Sequence, residues 1–305
     1  MSAFFTQKQL IFYMKLLQCL FITLLLASSS LALAQKISNS KETLIALTPK
    51  WEGERFPDGR PKVSDDLIQR LKSVTLEQAW SVLKGEGYAH QLEQGWENIH
   101  AGQVLVGRVL SAQYMPLRPE IRKELEKEGV KDGRIGDMVS WPIDMLQKGD
   151  VYVADSYGKH DDGPIIGDNL ATSIIAKTGN GVVFNGTVRD MEGLRLIPGF
   201  TSFFRGSHPS YQQEMMITGI NVPIRIGPVT VIPGDIVLGK QDGVMFIPPH
   251  LVEKVVKAGE LIQLKDQFGH QRLKEGKYTP GQIDEKWTPE IDKDFAAWLE
   301  TKNKK

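Results

Sequence analysis

The order of apolar and polar segments predicts an α/β protein of layered β/β/α type. β-rich runs recur through the middle of the chain, at residues 104–110, 151–155 and 182–184. Segments with helical periodicity separate these runs, and the stretch from Gly167 to Gly179 is one of them. Hydrophobic residues make up 41% of the 305 residues and charged residues 24%, which is ordinary for a soluble globular protein.

Residues 1–34 are predicted to be a secretory signal peptide. Met14-Lys15 precedes an apolar run at 16–26, and the A-x-A pattern Ala32-Leu33-Ala34 precedes Gln35. The apolar run is short for a membrane span, although an uncleaved N-terminal anchor is the alternative. We therefore expect an exported protein, periplasmic or secreted, that is not stably inserted in a membrane after cleavage.

Charge and cysteine content narrow the function classes further. The chain has 37 basic and 37 acidic residues, so its formal net charge is zero. Balanced charge gives no support for a nucleic-acid partner, which normally selects a basic face. The only cysteine, Cys19, lies inside the predicted signal, so the mature chain is expected to contain no disulfide and no reactive thiol.

The first elements follow from capping signals. Residues 35–62 form a polar lead-in segment punctuated by Pro and Gly. Ser64 is placed to cap a helix, and Thr75 with Gln78 forms a capping-box pattern before a second helix that Gly85 ends. The α/β domain is expected to span residues 63–265, with helices at its start.

Strands and one charged helix follow. The β-rich run at 104–110 comes first, and a charged helix near 119–128 then forms a solvated insertion. Lys148-Gly149-Asp150 is a turn into the strand at 151–155. Later elements are predicted at 222–226, 229–232, 235–238 and 243–247 as strands, at 250–264 as a helix, and at 266–305 as an amphipathic helical tail.

The central segment carries the most informative spacing. Twenty residues lie between Asp168, at the start of the predicted helix, and the pair Arg189-Asp190, at the end of the next strand. Both groups can face the same side of an α/β layer, where open sheets place their ligands. The amides of Asn169 and Leu170 form a plausible carboxylate cradle at the helix N-terminus.

The side chains suit an anion and a hard metal ion. The planar guanidinium of Arg189 matches a carboxylate or a 2-oxo acid. Asp190 adds an oxygen ligand, and Mg²⁺ or Mn²⁺ needs few protein carboxylates. A structural interpretation is also open: Asp168 as a helix N-cap and Arg189-Asp190 as an ion pair. Composition and spacing alone favour that structural interpretation.

Two loops are secondary candidates. The polar segment 159–163 precedes the central helix and suits either a substrate lid or a solvated turn. The segment 202–209, predicted to be a loop, offers Arg205 and His208. A nucleophile elbow, a Walker loop and a dinucleotide fingerprint are all absent from the sequence.

These motifs resemble one known family. The carriers are Gly167-Asp168-Asn169-Leu170-Ala171 with Arg189-Asp190, then Asn185-Gly186, Pro233-Gly234-Asp235 and Asp242-Gly243-Val244. Together they are similar to the 4-hydroxy-4-methyl-2-oxoglutarate aldolase family. That family includes the regulator of ribonuclease activity A, and many members are labelled demethylmenaquinone methyltransferases.

The resemblance covers roughly residues 64–260 and favours a real site over the structural interpretation. It implies a β/β/α swivelling-type fold, and a trimer or a dimer of trimers with sites at subunit interfaces. It implies a divalent metal ion, most often Mg²⁺, held through Asp190 and waters. Arg189 and the amides near Asn169 and Leu170 would bind the pyruvyl group, and Asp168 would contact metal-bound water and assist proton transfer.

The implied reaction is retro-aldol cleavage of a 4-hydroxy-2-oxo acid to pyruvate, or decarboxylation of oxaloacetate, through a pyruvate enolate. The chain departs from the family at the basic segment 238–243, at the insertion 115–145 and in its C-terminal tail. The alternative is an exported, non-catalytic binding or regulatory protein on the same fold. A methyltransferase is disfavoured, because no Gly-rich cofactor loop follows a first strand.

Overall fold

A nine-stranded mixed sheet forms the framework of the protein in the computed structural model, which describes residues 36–303. The predicted signal peptide at 1–34 lies outside the described residues. The strands are β1 Leu92–Glu93, β2 Glu97–Ile99, β3 Leu105–Pro116, β4 Asp150–Asp155, β5 Val182–Val188, β6 Ser202–Ser207, β7 Met215–Ile220, β8 Ile224–Ile226, β9 Val229–Val231, β10 Ile236–Lys240 and β11 Gly243–Ile247. Nine of these strands form the mixed sheet, and β8 and β9 form a separate two-stranded sheet.

Helices precede, interrupt and follow the strands. They are α1 Lys41–Leu47, α2 Asp65–Leu71, α3 Leu76–Gly85, α4 Pro119–Lys131, α5 Trp141–Met145, α6 Asp168–Thr178, α7 Met191–Arg195, α8 Val252–Lys274, α9 Pro280–Asp284 and α10 Pro289–Asn303. Short 3₁₀ turns lie at Met138–Ser140 and Pro249–Leu251. None of these described helices is long and apolar enough to cross a membrane.

The strand order places the ends of the central strands at one edge. The sheet runs β1-β11-β10-β3-β4-β5-β6-β2, and β7 pairs with the second half of β3. The pairs β3–β4, β4–β5 and β5–β6 are parallel, while the flanking pairs are antiparallel. Residues that follow β4, β5 and β6 therefore emerge at the same edge, where α/β proteins commonly bind ligands.

Alternation along the central strands builds two apolar cores. Val151 and Val153 of β4 pack with the separate two-stranded sheet of β8 and β9, whereas Tyr152 and Ala154 pack towards the helical side that contains Ile174 of α6. Both faces of the strand are buried, as expected for parallel strands. The layers are therefore sheet, sheet and helix, and the predicted β/β/α class is confirmed.

The capping predictions are also confirmed. The Ser64 hydroxyl accepts a hydrogen bond from the amide of Leu67, and Thr75 and Gln78 form a reciprocal capping box. Helix α3 ends at Gly85. Gly179 follows α6 with φ of 70°, a left-handed conformation that glycine adopts without a steric penalty.

The predicted loop at 202–209 is wrong over most of its length. Ser202–Ser207 is strand β6, and its pairing with both β5 and β2 explains why this short segment is extended. Phe203 and Phe204 are buried on opposite faces of the sheet. Local sequence does not show these non-local partners, and the Gly and Ser residues hide the strand pattern.

The lead-in segment is tied to the sheet. It contains α1, and the fully buried Arg60 donates to Asp150 Oδ2 at 2.9 Å and to Asp58 Oδ2 at 2.7 Å. Arg60 also donates to the backbone carbonyl of Val109 in β3 at 3.2 Å. Loss of one partner of a buried ion pair strongly destabilises the fold, because it leaves the other charge buried and unpaired. The lead-in segment, which supplies Arg60, is therefore part of the folded domain.

The C-terminal tail has its partner in the same chain. Phe295 and Trp298 of α10 surround Phe268, with Phe295 5.4 Å and Trp298 5.8 Å from it between ring centroids. Arg272 and Asp294 fix the two helices by a double hydrogen bond at 2.8 Å. Helix α8, which carries Phe268 and Arg272, continues unbroken from the α/β domain into the tail.

Candidate active site

The site lies where the loop before α6 crosses the end of β5. The amide of Arg189 donates to the carbonyl oxygen of Ile166 at 3.0 Å, which joins the two segments directly. Helix α6 begins one residue after Gly167, and Arg189-Asp190 follows the last residue of β5. The twenty-residue separation in sequence therefore becomes direct contact in space.

The five residues of the central motif, Asp168, Asn169, Leu170, Arg189 and Asp190, all line one cavity of about 220 Å³. Its lining comprises Asp137, Val139, Pro164, Ile165, Ile166, Gly167, Asp168, Asn169, Leu170, Arg189, Asp190, Tyr211 and Gln212. Asp137, Tyr211 and Gln212 were not foreseen. Asp137 follows the charged helix and the other two lie in a loop after β6, so no local pattern connects them with the central motif.

Arg189 and Asp190 present their side chains side by side. Arg189 Nε lies 3.4 Å from Asp190 Oδ2, and the two side chains are 39% and 42% exposed. An ion pair this accessible stabilises a fold by little, so structure alone does not account for the pair. Asp190 has φ of 58°, an uncommon conformation for a residue with a side chain, and it immediately precedes α7.

The Asp190 carboxylate rests on the backbone of Gly167. A Cβ atom built on residue 167 would lie 2.0 Å from Asp190 Oδ2 and 3.2 Å from Arg189 Nε. The first distance is too short for a real side chain, and the second is tighter than most real Cβ contacts. Glycine at 167 therefore leaves the space that the carboxylate occupies.

The N-cap alternative for Asp168 is wrong. Gly167 is the N-cap of α6, and no side chain among residues 36–303 caps this helix. Asp168 is the first helical residue, and the first intrahelical bond runs from the amide of Ala171 to the carbonyl of Gly167. The amides of Asn169 and Leu170 thus sit in the turn where helices leave backbone donors unpaired.

Arg205 has a structural role. Its guanidinium donates to Glu93, to the carbonyls of Gln94 and Gly95, and to Asn185 Oδ1 at 3.1 Å. It also stacks on Trp96 at 3.9 Å. Arg205 is absent from the cavity lining, so these contacts assign it to the join between β6 and the β1–β2 region.

His208 and the 159–163 segment meet beside the cavity rather than in it. His208 Nε2 lies 3.5 Å from Asp161 Oδ1, and His160 Nδ1 lies 2.9 Å from the same oxygen. None of these three residues lines the cavity. The segment 159–163 contains a turn, in which the amide of Gly163 donates to the carbonyl of His160 at 3.3 Å. Lys159 Nζ holds it to Glu214 Oε2 at 2.7 Å.

The protein family of this chain is shown by comparison with known families. Residues 61–246 match the model of the family described as RraA-like (Aldolase/RraA). This match covers more than half of the chain, and the chain belongs to the RraA-like family. The resemblance drawn from the central motifs is thereby confirmed.

Named relatives match parts of the chain. A putative 4-hydroxy-4-methyl-2-oxoglutarate aldolase of Halalkalibacterium halodurans is 34% identical over 87 residues, which are 28% of this chain and 41% of the relative. A 4-hydroxy-4-methyl-2-oxoglutarate aldolase of Thermus thermophilus is 33% identical over 85 residues, 28% of this chain and 51% of the relative. Protein DlpA of Legionella pneumophila is 28% identical over 167 residues, 54% of this chain and 25% of the relative. The matches span between a quarter and about half of these relatives.

Solved structures share the fold. The RraAS2 protein of Streptomyces coelicolor, titled an unusual member of the RNase ES inhibitor RraA family, superposes with a TM-score of 0.59 at 24% identity. That alignment covers 69% of this chain and 100% of the other. An uncharacterised protein of Pseudomonas syringae gives a TM-score of 0.58 at 20% identity, covering 73% and 98%. At these identities the likeness concerns the fold alone.

Proposed function

We propose that the protein is a divalent-metal-dependent lyase that cleaves a 4-hydroxy-2-oxo acid to pyruvate, decarboxylates oxaloacetate, or does both. The observation that carries the proposal is the meeting of Asp168, Arg189 and Asp190 with the uncapped start of α6 in one cavity. A cation, two carboxylates and free helix amides are the groups that a 2-oxo acid and a hard metal ion require. The relatives named as aldolases support the reaction class.

The substrate anion is bound by Arg189 and the helix start. The guanidinium of Arg189 offers two parallel N–H donors to the pyruvyl carboxylate. The amides of Asn169 and Leu170 supply further donors on the positive end of α6. A 2-oxo acid held by these groups lies within the volume of about 220 Å³ that the cavity provides.

The donor set fits Mg²⁺, with Mn²⁺ as a substitute. Asp190 presents a partly exposed carboxylate over Gly167, and the open side of the cavity admits the waters that Mg²⁺ retains. Bound there, a divalent ion polarises the 2-oxo group and stabilises negative charge on its oxygen. Asp190 would hold the ion, and Gly167 leaves the room that its carboxylate needs.

The residues of the chain account for charge and proton movement. In retro-aldol cleavage the C4 hydroxyl loses its proton, the C3–C4 bond breaks, and its electron pair enters the pyruvyl fragment as an enolate. Arg189 stabilises the negative charge of that enolate. Asp168 is the positioned acid–base group, and returning a proton to C3 completes pyruvate.

Assembly and location are further parts of the proposal. We expect a homotrimer or a hexamer, with the open cavity closed by a neighbouring subunit. The family resemblance supports this assembly, and Ile135 and Leu196, each 82% exposed, are available for a subunit contact. Light scattering that shows a monomer at micromolar concentration would contradict the assembly.

The mature protein is expected to begin near Gln35 and to be periplasmic or secreted. Mass spectrometry of protein isolated from the native host tests this boundary. An intact chain in the cytoplasmic fraction would contradict export while leaving the proposed chemistry open to its own test.

The decisive experiment measures pyruvate release from a panel of 4-hydroxy-2-oxo acids and from oxaloacetate, with and without Mg²⁺. We expect Mg²⁺-dependent release by the wild type and none by Asp190→Ala. Glu192→Ala is the matched control, because Glu192 is an exposed acid nearby in sequence that does not line the cavity. Mn²⁺ binding followed by electron paramagnetic resonance should be lost in Asp190→Ala only. Folded Asp190→Ala with normal turnover would overturn the proposal and favour a non-catalytic binding or regulatory protein.

A further inference from the structure

A cluster of two imidazoles and one carboxylate lies beside the candidate active site. His160 and Asp161 come from the loop after β4, and His208 comes from the segment after β6. One ligand atom of each residue lies within 4.8 Å of the others. It is the one group of at least three potential metal-binding side chains in the described residues 36–303.

The spacing of these atoms suits a single small cation. His160 Nδ1 is 2.9 Å and His208 Nε2 is 3.5 Å from Asp161 Oδ1. In a tetrahedral site with metal–ligand bonds of about 2.1 Å, two ligand atoms lie roughly 3.4 Å apart. The two separations from Asp161 are therefore close to those of a tetrahedral site, and the third lies within 4.8 Å.

The backbone around the cluster is fixed. The amide of His208 donates to the carbonyl of Val188 at 3.1 Å, and the Thr187 hydroxyl donates to the carbonyl of His160 at 3.1 Å. Both histidines are thus tied to the last two residues of β5. A site built on a sheet edge in this way has little entropy to lose when it binds an ion.

A second layer of hydrogen bonds orients the cluster. Ser210 Oγ lies 2.7 Å from Nδ1 of His208 and accepts from the amide of Asp162 at 2.9 Å. The Ser210 amide also donates to His208 Nδ1 at 3.3 Å, which places the proton of the neutral ring on Nε2, the nitrogen that faces Asp161. An ion bound at Nε2 would shift that proton to Nδ1, where Ser210 Oγ can accept it. Such partners set the tautomer of metal-binding histidines in known sites.

We propose that His160, Asp161 and His208 form a second metal site, specific for a borderline transition-metal ion of which Zn²⁺ is the representative. Imidazole nitrogen suits Zn²⁺, Co²⁺ and Ni²⁺, whereas Mg²⁺ prefers oxygen ligands. Three protein ligands leave at least one position to water. The site is separate from Asp190 and does not depend on the proposed lyase activity.

The bound ion would brace one wall of the catalytic cavity. The loop after β4 supplies Pro164 to that wall, and the segment after His208 supplies Tyr211 and Gln212. The two segments already touch, since the amide of Gln213 donates to the carbonyl of Asp162 at 3.1 Å. A metal bond between them would hold the wall at a fixed width.

The test titrates untagged full-length protein with Zn²⁺ against a chromophoric chelator. We expect one equivalent of tightly bound Zn²⁺ in the wild type, and affinity reduced about tenfold or more in His160→Ala and His208→Ala. Ser210→Ala should lose about 10- to 100-fold, as outer partners of metal-binding histidines do. His90→Ala, which removes another exposed histidine, is the matched control and should bind as the wild type does.

Further measurements separate this site from the magnesium site. Asp190→Ala should keep its Zn²⁺ equivalent. Cu²⁺ bound to the wild type should show electron paramagnetic resonance couplings to two imidazole nitrogens, and His160→Ala and His208→Ala should each lose one of them. Equal Zn²⁺ binding by wild type and His160→Ala would overturn the proposal, as would a wild type that binds no Zn²⁺. If His208→Ala does not fold, His160→Ala decides the matter, because its side chain is 56% exposed.

Discussion

The carboxylate of Asp168 lies against the backbone of Gly193: a Cβ atom built on residue 193 would stand 2.5 Å from Asp168 Oδ2. This contact joins the start of α6 to α7, which follows Asp190 directly. The two carboxylates of the cavity therefore each rest on a glycine, Asp190 on Gly167 and Asp168 on Gly193. Both carboxylates can occupy these positions because residues 167 and 193 have no side chain.

Gly193→Ala should displace the Asp168 carboxylate and lower the turnover of pyruvate-releasing substrates about 10- to 100-fold, because misplacing a catalytic group by about 1 Å has effects of this size. The measurement is kcat with saturating Mg²⁺. Gly85→Ala is the control, since a Cβ there meets nothing within 4 Å. Unchanged kcat in folded Gly193→Ala would show that the position of Asp168 is unimportant.

Arg189→Lys should also fail as a catalyst. An ammonium group cannot reproduce the two parallel bonds of a guanidinium to a carboxylate. Loss of a charge-assisted bond worth about 2–4 kcal/mol in the transition state lowers the rate roughly 30- to 1000-fold. Steady-state pyruvate release measures this loss, and circular dichroism verifies folding. A lysine variant within twofold of the wild type would remove Arg189 from the mechanism.

Asp168→Asn should lower activity with little effect on the stability of the fold. Since Gly167 is the N-cap, Asp168 stabilises α6 only through the helix dipole, by about 0.3–1 kcal/mol. Thermal unfolding should therefore shift by a few degrees at most, whereas activity should fall about 100- to 10,000-fold if this group moves the proton. A folded variant with most of its activity would exclude Asp168 as the acid–base group.

A pH effect on stability is expected from Asp235. Complete burial raises the pKa of its carboxyl from 3.8 to about 8, against the lowering effect of a bond from the Ile232 amide at 2.8 Å. Between pH 3.8 and 8 the folded state keeps a proton that the unfolded state has released, so this group makes stability fall with rising pH by at most about 1.4 kcal/mol per unit. Above pH 8 the effect levels off.

Asp235→Asn should remove that slope, because the amide oxygen can still accept from Ile232 and carries no charge. Chemical denaturation of wild type and variant at pH 5, 6, 7 and 8 measures the difference in free energy of unfolding. The free energy of unfolding of the variant should increase relative to that of the wild type as pH rises. A difference that stays constant over this range would show that the buried carboxyl does not titrate there.

Much of the architecture follows from local sequence. Capping residues such as Ser64 and Thr75, and the left-handed Gly179, mark helix ends because their physics is local. The central motif also places Asp168 and Arg189 in one cavity, because a helix start and a parallel strand end meet at one sheet edge. The roles of these residues stay predictions until they are measured.

The parts of the fold and of the cavity that the sequence did not predict depend on contacts between distant segments. Strand β6 is extended because β5 and β2 lie on either side of it, and no pattern within Ser202–Ser207 shows those neighbours. Tyr211 reaches the cavity through a loop whose course is set by bonds to Asp162. Periodicity cannot report such partners, since they are separated by tens of residues.

The buried pairing of Arg60 with Asp150 limits where the chain can be shortened. Cleavage near Gln35 leaves Arg60 in place, whereas trimming past residue 60 would leave Asp150 in the interior without its counter-charge. Asp150 Oδ1 already lacks a hydrogen-bond partner among the described residues, so no neighbour is ready to compensate. Fusions and purification tags therefore belong before Ile37. A fragment that starts at residue 61, where the family match begins, would lack Arg60 and leave Asp150 without its ion-pair partner.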